Sequence, residues 1–524
     1  MKKITLTAIS RFLPLLWAGA VCAAEPSAGR ISDGERIVNK AMLQTNYRNT
    51  LWLSTDNAAG LAFSPLAAYN DLNLSYSGKF GEFSVAQDAV TSHNIQLATS
   101  GALSLGGFSL WGDFSFTNIF DKGVRYNSIR YEVPENMPYY IADSYPSDWN
   151  RQEYDLSVKG ASPVLWDLMS FGLSIDYLTR VGAKQLDPRC ETYNYHINAA
   201  PSVAFCFASD HHLGLDGFFE YGYERSVPSL NNQFEDQKVF ITSGLGEYLL
   251  GKVGGNDGQK TWIYRALEYG GGLQYSWSRD IELLFNADFH IRQENAFANP
   301  KLIKRMGSSK DMRVSGDFTI LFGKEFSDRI RLEGLYSSAD GIEYVQQLNT
   351  EAFNQRWEVL AENVMSSFNR MEATLSYDHL FGVSKERGYD WKVGAEAGFV
   401  ARDYSYLIPV STFTASSLSA SVCGAWHGKF RKASLLLALD AGYSKSLGGE
   451  FLYGGTKGDS DLQNLYRWDI AVLSSDFLKT GAEATCTINR RKVNYRLSLS
   501  GTWFLPFGKD YDKTLCNFTF GIIF

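Results

Sequence analysis

From residue 281 the chain alternates. Ile281, Leu283, Phe285, Ala287, Phe289 and Ile291 are apolar, and Glu282, Leu284, Asn286, Asp288, His290 and Arg292 stand between them. A β-strand sends successive side chains to opposite faces, so a period of two sustained this long makes one apolar face and one largely polar face. The pattern returns in 491–503, with Val493, Tyr495, Leu497, Leu499 and Trp503 against Asn494, Arg496, Ser498, Ser500 and Thr502. In 312–322, Met312, Val314, Phe318, Ile320 and Phe322 oppose Arg313, Ser315, Asp317 and Thr319. In 371–377, Met371, Ala373, Leu375 and Tyr377 oppose Glu372, Thr374 and Ser376. Soluble strands run to roughly 5–6 residues, whereas a tilted strand needs roughly 9–11 to cross a bilayer. The runs have the second length.

The start of the chain points the same way. Met1, Lys2 and Lys3 form a basic head, Ile4 to Val21 a short interrupted apolar stretch, and Cys22, Ala23 and Ala24 a small-residue exit before Glu25. These are the parts of a secretory signal peptide over residues 1–24, cleaved after Ala23 or Ala24; the rival reading makes Cys22 the lipidated first residue of a lipoprotein. No second long apolar run follows, so no membrane helix is predicted. Aromatic residues make up 14% of the chain, with 34 Phe and 29 Tyr, and no Pro/Ser-rich linker or charge block divides it into separate cores. Lys+Arg 50 and Asp+Glu 57 are intermixed, which leaves no electrostatic footprint for nucleic acid.

Loop lengths give an independent test. Short connections fall around Gly106-Gly107, Ser209-Asp210, Ser278-Arg279, Gly323-Lys324, His427-Gly428 and Arg490-Arg491, with 160–168 and 382–389 looser. They alternate with longer segments at 119–150, 182–200, 227–261, 295–310, 340–365 and 447–477. Short periplasmic turns and long external loops mark bacterial outer-membrane barrels. The predicted fold is all-β: a transmembrane antiparallel up-and-down β-barrel over 70–524 of about 18 strands, 14 to 18 being compatible with the pattern. Residues 25–69 precede it as a periplasmic or luminal segment, with a short helix suggested by Ile37, Val38, Ala41 and Met42. Phe518, Phe520, Ile522 and Phe524 share one face of the last strand and resemble the signal by which the barrel assembly machinery recognises its substrates. The predicted location is the outer membrane of a Gram-negative cell, in contact with its lipids.

Tyr139-Tyr140-Ile141-Ala142-Asp143-Ser144, then Asp148-Trp149 and Glu153-Tyr154, resemble a recurring segment of a Bacteroidota outer-membrane barrel family known only as a domain of unknown function, the 6850 type. Leu186-Asp187-Pro188-Arg189 resembles the same family's Asp-Pro-Arg-Pro segment, with Cys190 departing at the last place. That resemblance implies architecture and location, and no activity. Asn57-Ala58-Ala59-Gly60-Leu61 is similar to the Asn-Pro-Ala-Gly motif near the start of fatty-acid-transporter-like barrels, with Ala58 in place of Pro. In those transporters an N-terminal segment enters the lumen and blocks it; a helix at the periplasmic mouth or a loose tail is the bland alternative.

Catalytic and metal signatures are weak. Asp210-His211-His212 lacks the spaced ligands of a metal site, and Asp378-His379 places its two groups on opposite faces of a strand. No Gly-x-Ser-x-Gly elbow, His-Glu-x-x-His or phosphate loop occurs. Neither a cofactor nor a metal is predicted; an outer-membrane enzyme, which would require a serine, aspartate or histidine cluster at one rim, stands as a third alternative behind the two functions below. Cys190 and Cys206 could pair at the outer end of one hairpin; Cys423, Cys486 and Cys516 read as small apolar strand residues.

The informative set is the charge on the polar phase: Glu282, Asp288, Arg292, Arg313, Asp317, Arg331, Glu333, Arg370, Glu372, Lys392, Glu396, Arg402 and Arg496. An open channel would use these charges for selectivity. A closed lumen would need them paired, and the balance of signs leans towards a narrow or filled interior. The favoured function is a transport barrel for a small solute or apolar ligand, gated by its loops or N-terminal segment. A second is a barrel whose loops dock a lipoprotein, receptor or secretion component, with Tyr139, Tyr140, Tyr145 and Trp149 as anchors; the same aromatics could instead pack the loop onto the barrel.

Overall fold

The computed structural model describes residues 39–46, 51–63, 69–208, 210–232, 237–253, 261–299, 302–350, 355–384, 388–458, 460–490 and 493–524. The predicted signal peptide and the first part of the 25–69 segment lie outside the described residues. In chain order the strands are β1 (Tyr69–Phe80), β2 (Thr91–Leu105), β3 (Phe108–Val124), β4 (Ile141–Ala142), β5 (Ser147–Ala161), β6 (Met169–Lys184) and β7 (Arg189–Ala208). There follow β8 (His211–Ser229), β9 (Gln237–Gly244), β10 (Glu247–Val253), β11 (Trp262–Ser278), β12 (Glu282–Ala298), β13 (Lys304–Phe322) and β14 (Asp328–Asn349). The last are β15 (Arg356–Phe381), β16 (Trp391–Tyr406), β17 (Ser411–Phe430), β18 (Ala433–Tyr453), β19 (Phe477–Asn489), β20 (Asn494–Pro506) and β21 (Lys513–Ile523).

Strands β4, β9 and β10 form a small sheet of their own; the other 18 pair antiparallel, each with the next, until β21 returns to β1. At that seam Asp71 lies opposite Ile523 and Phe80 opposite Thr514. The closure matters because a bilayer supplies no water for unpaired N–H and C=O groups, and a closed ladder leaves no edge. The sequence-predicted architecture and strand number both stand.

The alternation becomes two surfaces. Across β12 and β13, Asp288 faces Ser315 and Asn286 faces Asp317 on the inner surface, while Phe289, Val314 and Phe318 point out and are exposed. Leu74, Leu97, Leu332, Leu375, Leu439 and Leu499 continue that apolar outer belt on other strands. Phe518, Phe520 and Phe524 are exposed on its β21 side, with Phe520 opposite Leu74 across the seam.

Three of the expected long connections are long: 125–146 between β3 and β5, 230–261 between β8 and β11, and 454–476 between β18 and β19. The others shrink because the strands outrun the bilayer. Segment 182–200 is a turn at 185–188 flanked by strand, 295–310 reduces to 299–303, and 340–365 to 350–355. The physical reason is in the sequence: outward Tyr193, Tyr195 and Ile197 keep the alternation through the first of these segments. Cys190 and Cys206 both lie on β7, at its two ends, about 50 Å apart at roughly 3.3 Å per residue. They cannot pair, and all five cysteines of the described residues are free.

The two surfaces predict opposite responses to charge. Leu499→Arg, on the outer face of β20, should lower folding stability by about 2–4 kcal/mol, and Ser500→Arg, its inward neighbour, by less than about 1 kcal/mol. Urea titration of refolding into bilayers, read by heat-modifiable gel migration, checks both.

Candidate functional site in the barrel lumen

The inner end of the lumen is filled by the N-terminal segment. It carries helix α1 (Lys40–Asn46), a single turn α2 (Leu51–Ser54) and a 3₁₀ turn at Ala58–Ala62. Asn57 starts that turn, its Oδ1 accepting from Gly60 N at 3.3 Å, while its Nδ2 donates to Gln274 Oε1 at 2.8 Å. Ala59 N donates to Ser202 Oγ at 3.1 Å. Lys159 Nζ, on the β5 wall, donates to the carbonyls of Leu53 and Thr55 at 2.6 and 2.5 Å, closing the helical carbonyls that would otherwise be orphaned. Leu51, Trp52 and Leu61 pack with Ala161, Leu284 and Leu321. Farther round, Lys40 pairs with Glu483 of β19, and Tyr389 donates to Gln44 at 2.5 Å. The segment therefore crosses the lumen from the β19 wall to the β7–β11 wall. The wall makes room with glycine: a Cβ on Gly172 would sit 2.1 Å from Ala59 N, and one on Gly214 2.6 Å from the Trp52 ring.

The outer end is filled by the three long loops. Arg130 of loop 125–146 reaches down to the wall, its Nη2 meeting Glu224 at 3.1 Å and Glu294 at 2.7 Å. Its guanidinium lies 3.9 Å from the Tyr264 ring centre, and Tyr131 N donates to Glu224 Oε1 at 2.8 Å. Asn127 makes the turn that aims it, exchanging hydrogen bonds with the Arg130 backbone at 2.8 and 2.9 Å. Farther along, Glu135 takes Arg370 at 2.7 Å and Arg402 at 2.9 Å, and Asp143 takes Lys184 at 2.6 Å with both side chains buried. The ring of Tyr139 seats against Gly307 and Gly341, where a Cβ on Gly307 would fall 2.2 Å from it.

Helix α3 (Asp461–Leu473) completes this cap. Gln463 Nε2 donates to Gly246 O at 2.7 Å, Trp468 Nε1 to Ser84 O at 2.8 Å, and Asp469 Oδ1 accepts from Ala86 N at 2.7 Å. Burial, opposed by the Ala86 hydrogen bond and helped by Glu135 and Asp88, pushes the Asp469 carboxyl up to about 7.

The thirteen charges singled out in the sequence stand on the inward phase of their strands. Arg292 meets Glu220 at 3.1 Å, Glu268 at 3.2 Å and Glu294 at 3.4 Å. Arg313 meets Asp311 at 3.4 Å, and Arg331 meets Asp317 at 3.7 Å and Glu333 at 2.9 Å. Arg370 pairs with Glu372, and Arg496 with Asp71 at 2.8 Å. Glu282 lies opposite Leu321 at the inner rim, and Lys392 and Glu396 lie opposite Ala425 and Ser421. Asp288, Asp317, Glu333 and Glu372 are brought together around a cavity of about 380 Å³ on the inner wall of β12 to β15, with Asn286, Ser315 and Thr374 beside them.

Of the expected docking anchors, Tyr139, Tyr140 and Trp149 are 2%, 3% and 0% exposed, and Tyr145 alone faces solvent at 63%. Tyr139 and Tyr140 of the loop and Trp149 of β5 are packed into the protein. Asp210 pairs with Arg279, Asp378 with Arg329 at 2.7 Å and His379 with Asp328 at 2.7 Å, so Asp378 and His379 serve different partners. Sequence reading missed Arg130, Glu135 and Asp143, which sit in a loop without periodicity. Glu224 and Glu294 lie on the inward phase of β8 and β12 and were open to the same argument as their neighbours.

A family model described as "Family of unknown function (DUF6850)" matches residues 58–524. No curated protein matches the sequence. Among solved structures, the ferric preacinetobactin receptor BauA from Acinetobacter baumannii aligns at TM-score 0.35 and 9% identity, over 87% of this chain and 80% of that one. The toluene transporter TodX of Pseudomonas putida aligns at 0.29 and 12%, over 91% and 92%. The ferric yersiniabactin uptake receptor FyuA from Yersinia pestis aligns at 0.41 and 8%, over 87% and 80%. Likenesses this slight carry no argument about cargo.

Two outcomes follow from the cap. Removing Arg130 takes the cation from buried Glu224, while Glu294 keeps Arg292 at 3.4 Å, so Arg130→Ala should cost about 3 kcal/mol of loop docking, read as new tryptic cleavage within 125–146 of a barrel that stays heat-modifiable. For Asp469 the docked value lies above the ordinary 3.8, so the docked state holds a proton that the released state gives up. Docking is fully supported below about 3.8 and loses that support as pH rises through about 7. Hydrogen exchange of 84–90 and 461–473, corrected for intrinsic rates, should be faster at about pH 8 than at about pH 5.5, and Asp469→Asn should remove the difference.

Proposed function

We propose that this chain, which belongs to the family of unknown function DUF6850, is an outer-membrane barrel that passes a small polar solute and stands closed until its inner plug and outer cap move. The observation that carries the reading is the filling of both ends of a charged lumen by the chain's own segments, 39–63 from the inside and 125–146 with α3 from the outside. A barrel built only as a scaffold has no need of an internal cavity of about 380 Å³ lined by carboxylates, amides and hydroxyls. That lining supports a polar cargo over an apolar one, because an apolar ligand would strip water from these groups without replacing its hydrogen bonds. Both closures are non-covalent, which suits parts that must separate. Export, and insertion by the assembly machinery through the outward face of Phe518, Phe520, Ile522 and Phe524, belong to the same proposal.

Single-channel recording in planar bilayers tests it. The barrel refolded from residue 25 onward should be silent, and a variant lacking 25–63 and carrying Arg130→Ala should show discrete steps. A double variant that folds by heat-modifiability yet stays silent overturns the reading, and so do steps in the intact chain.

A further inference from the structure

Between loop 125–146 and the wall lies a second, half-open cleft of about 140 Å³. Arg130 enters it from the loop; Asn194 of β7, Tyr264 and Ala266 of β11 and Arg292 of β12 line it from the wall. The latch that closes it is incompletely satisfied. Among the described residues, Arg130 Nη1, the Tyr264 hydroxyl and Asn194 Oδ1 find no hydrogen-bond partner, although the three side chains are only 4%, 1% and 6% exposed. A buried polar atom left without a partner costs on the order of 1–3 kcal/mol, so the closed state carries a penalty that an inserted ligand can remove.

The same groups define what that ligand is. Two of the unpaired atoms donate and one accepts, which hydroxyl groups match because each can do both. Charge argues against an ion. The arginines at the cleft are already committed to carboxylates at 2.7–3.6 Å, and Glu153, Glu220 and Glu268 behind them would repel an anion. A cation would meet the unpaired donors of Arg130 and Tyr264. Size sets the last limit: a cavity near 150 Å³ takes a molecule of roughly six non-hydrogen atoms, and the open side admits a few more. We propose that this cleft is a recognition site for a small neutral polyol, whose hydroxyls take up the atoms the latch leaves unpaired and thereby hold loop 125–146 docked against the wall. As the cargo of the barrel the polyol rests on the gated-transport reading; its binding does not.

Isothermal titration of the detergent-purified barrel with glycerol and with erythritol, in glycerol-free buffer, tests the site, with acetate and methylammonium as charged controls. Saturable binding of the polyols is expected, together with slower tryptic cleavage within 125–146 when they are present. Tyr264→Phe removes only an unpaired hydroxyl, so it should fold normally and bind about tenfold more weakly. Ala266→Leu fills the cleft without touching a hydrogen bond and should abolish binding. Flat polyol titrations, equal binding of the charged controls, or wild-type affinity in both variants would overturn the inference. A flat titration in a barrel that conducts once plug and latch are removed defeats this site alone; polyol binding to a barrel that never conducts defeats the transport reading alone.

Discussion

A ring of eighteen strands encloses more space than its own inward side chains can fill, and the rest of this chain answers to that surplus. An empty lumen would be a permanent hole in a permeability barrier; a lumen packed only from the wall would need side chains longer than any available. The chain brings in main chain instead. The 39–63 segment and the cap made by 125–146, the β4–β9–β10 sheet and α3 carry backbone into the interior, and backbone brings donors and acceptors that the wall must meet. Hence the inward Lys159, Ser202 and Gln274 below, and Glu224, Glu294 and Arg402 above.

Close approach imposes a second requirement on the wall. Where the plug crosses β6 and β8 the inward positions are Gly172 and Gly214, and where the Tyr139 ring lies against β13 and β14 they are Gly307 and Gly341. At Gly172, Gly214 and Gly307 a methyl group would overlap an incoming atom; at Gly341 it would overlap Ser366 Oγ of the wall and press on the Tyr139 hydroxyl, 3.2 Å away. These glycines sit in strand interiors, where they weaken a sheet, and their contacts with plug and cap explain why they stand there.

How much of this the sequence disclosed follows from what alternation encodes. Period two reports which side of the wall a residue takes, so the closed sheet, its strand number and the inward phase of Asp288, Arg331 or Arg402 were all legible. It reports nothing of what stands on the far side of the lumen. Arg292 was read as a wall charge, but that it would bind three carboxylates on three strands depends on the register, which pairs it with Glu268 directly and reaches Glu220 one strand farther. Loops carry no phase at all, so Tyr139 and Tyr140 gave the same signal whether aimed at a partner or at the lumen. Strand ends were misplaced at 182–200, where the hydrogen-bond ladder of β6 and β7 runs on through most of the expected loop. The Asn57 to Leu61 segment was recognised by likeness to other barrels; its anchoring to Gln274 needed the fold.

Six residue steps separate Phe63, the last described residue of the plug, from Tyr69 at the start of β1. At no more than about 3.5 Å per residue, that spacing would confine a plug released as proposed to the neighbourhood of the mouth it had left. Its effective local concentration there stays high, so recapture is an intramolecular event that requires no encounter with a second molecule. On the proposed gating, a stopper tied in this way would act as a self-resetting valve: opening would last only as long as something competes for its contacts.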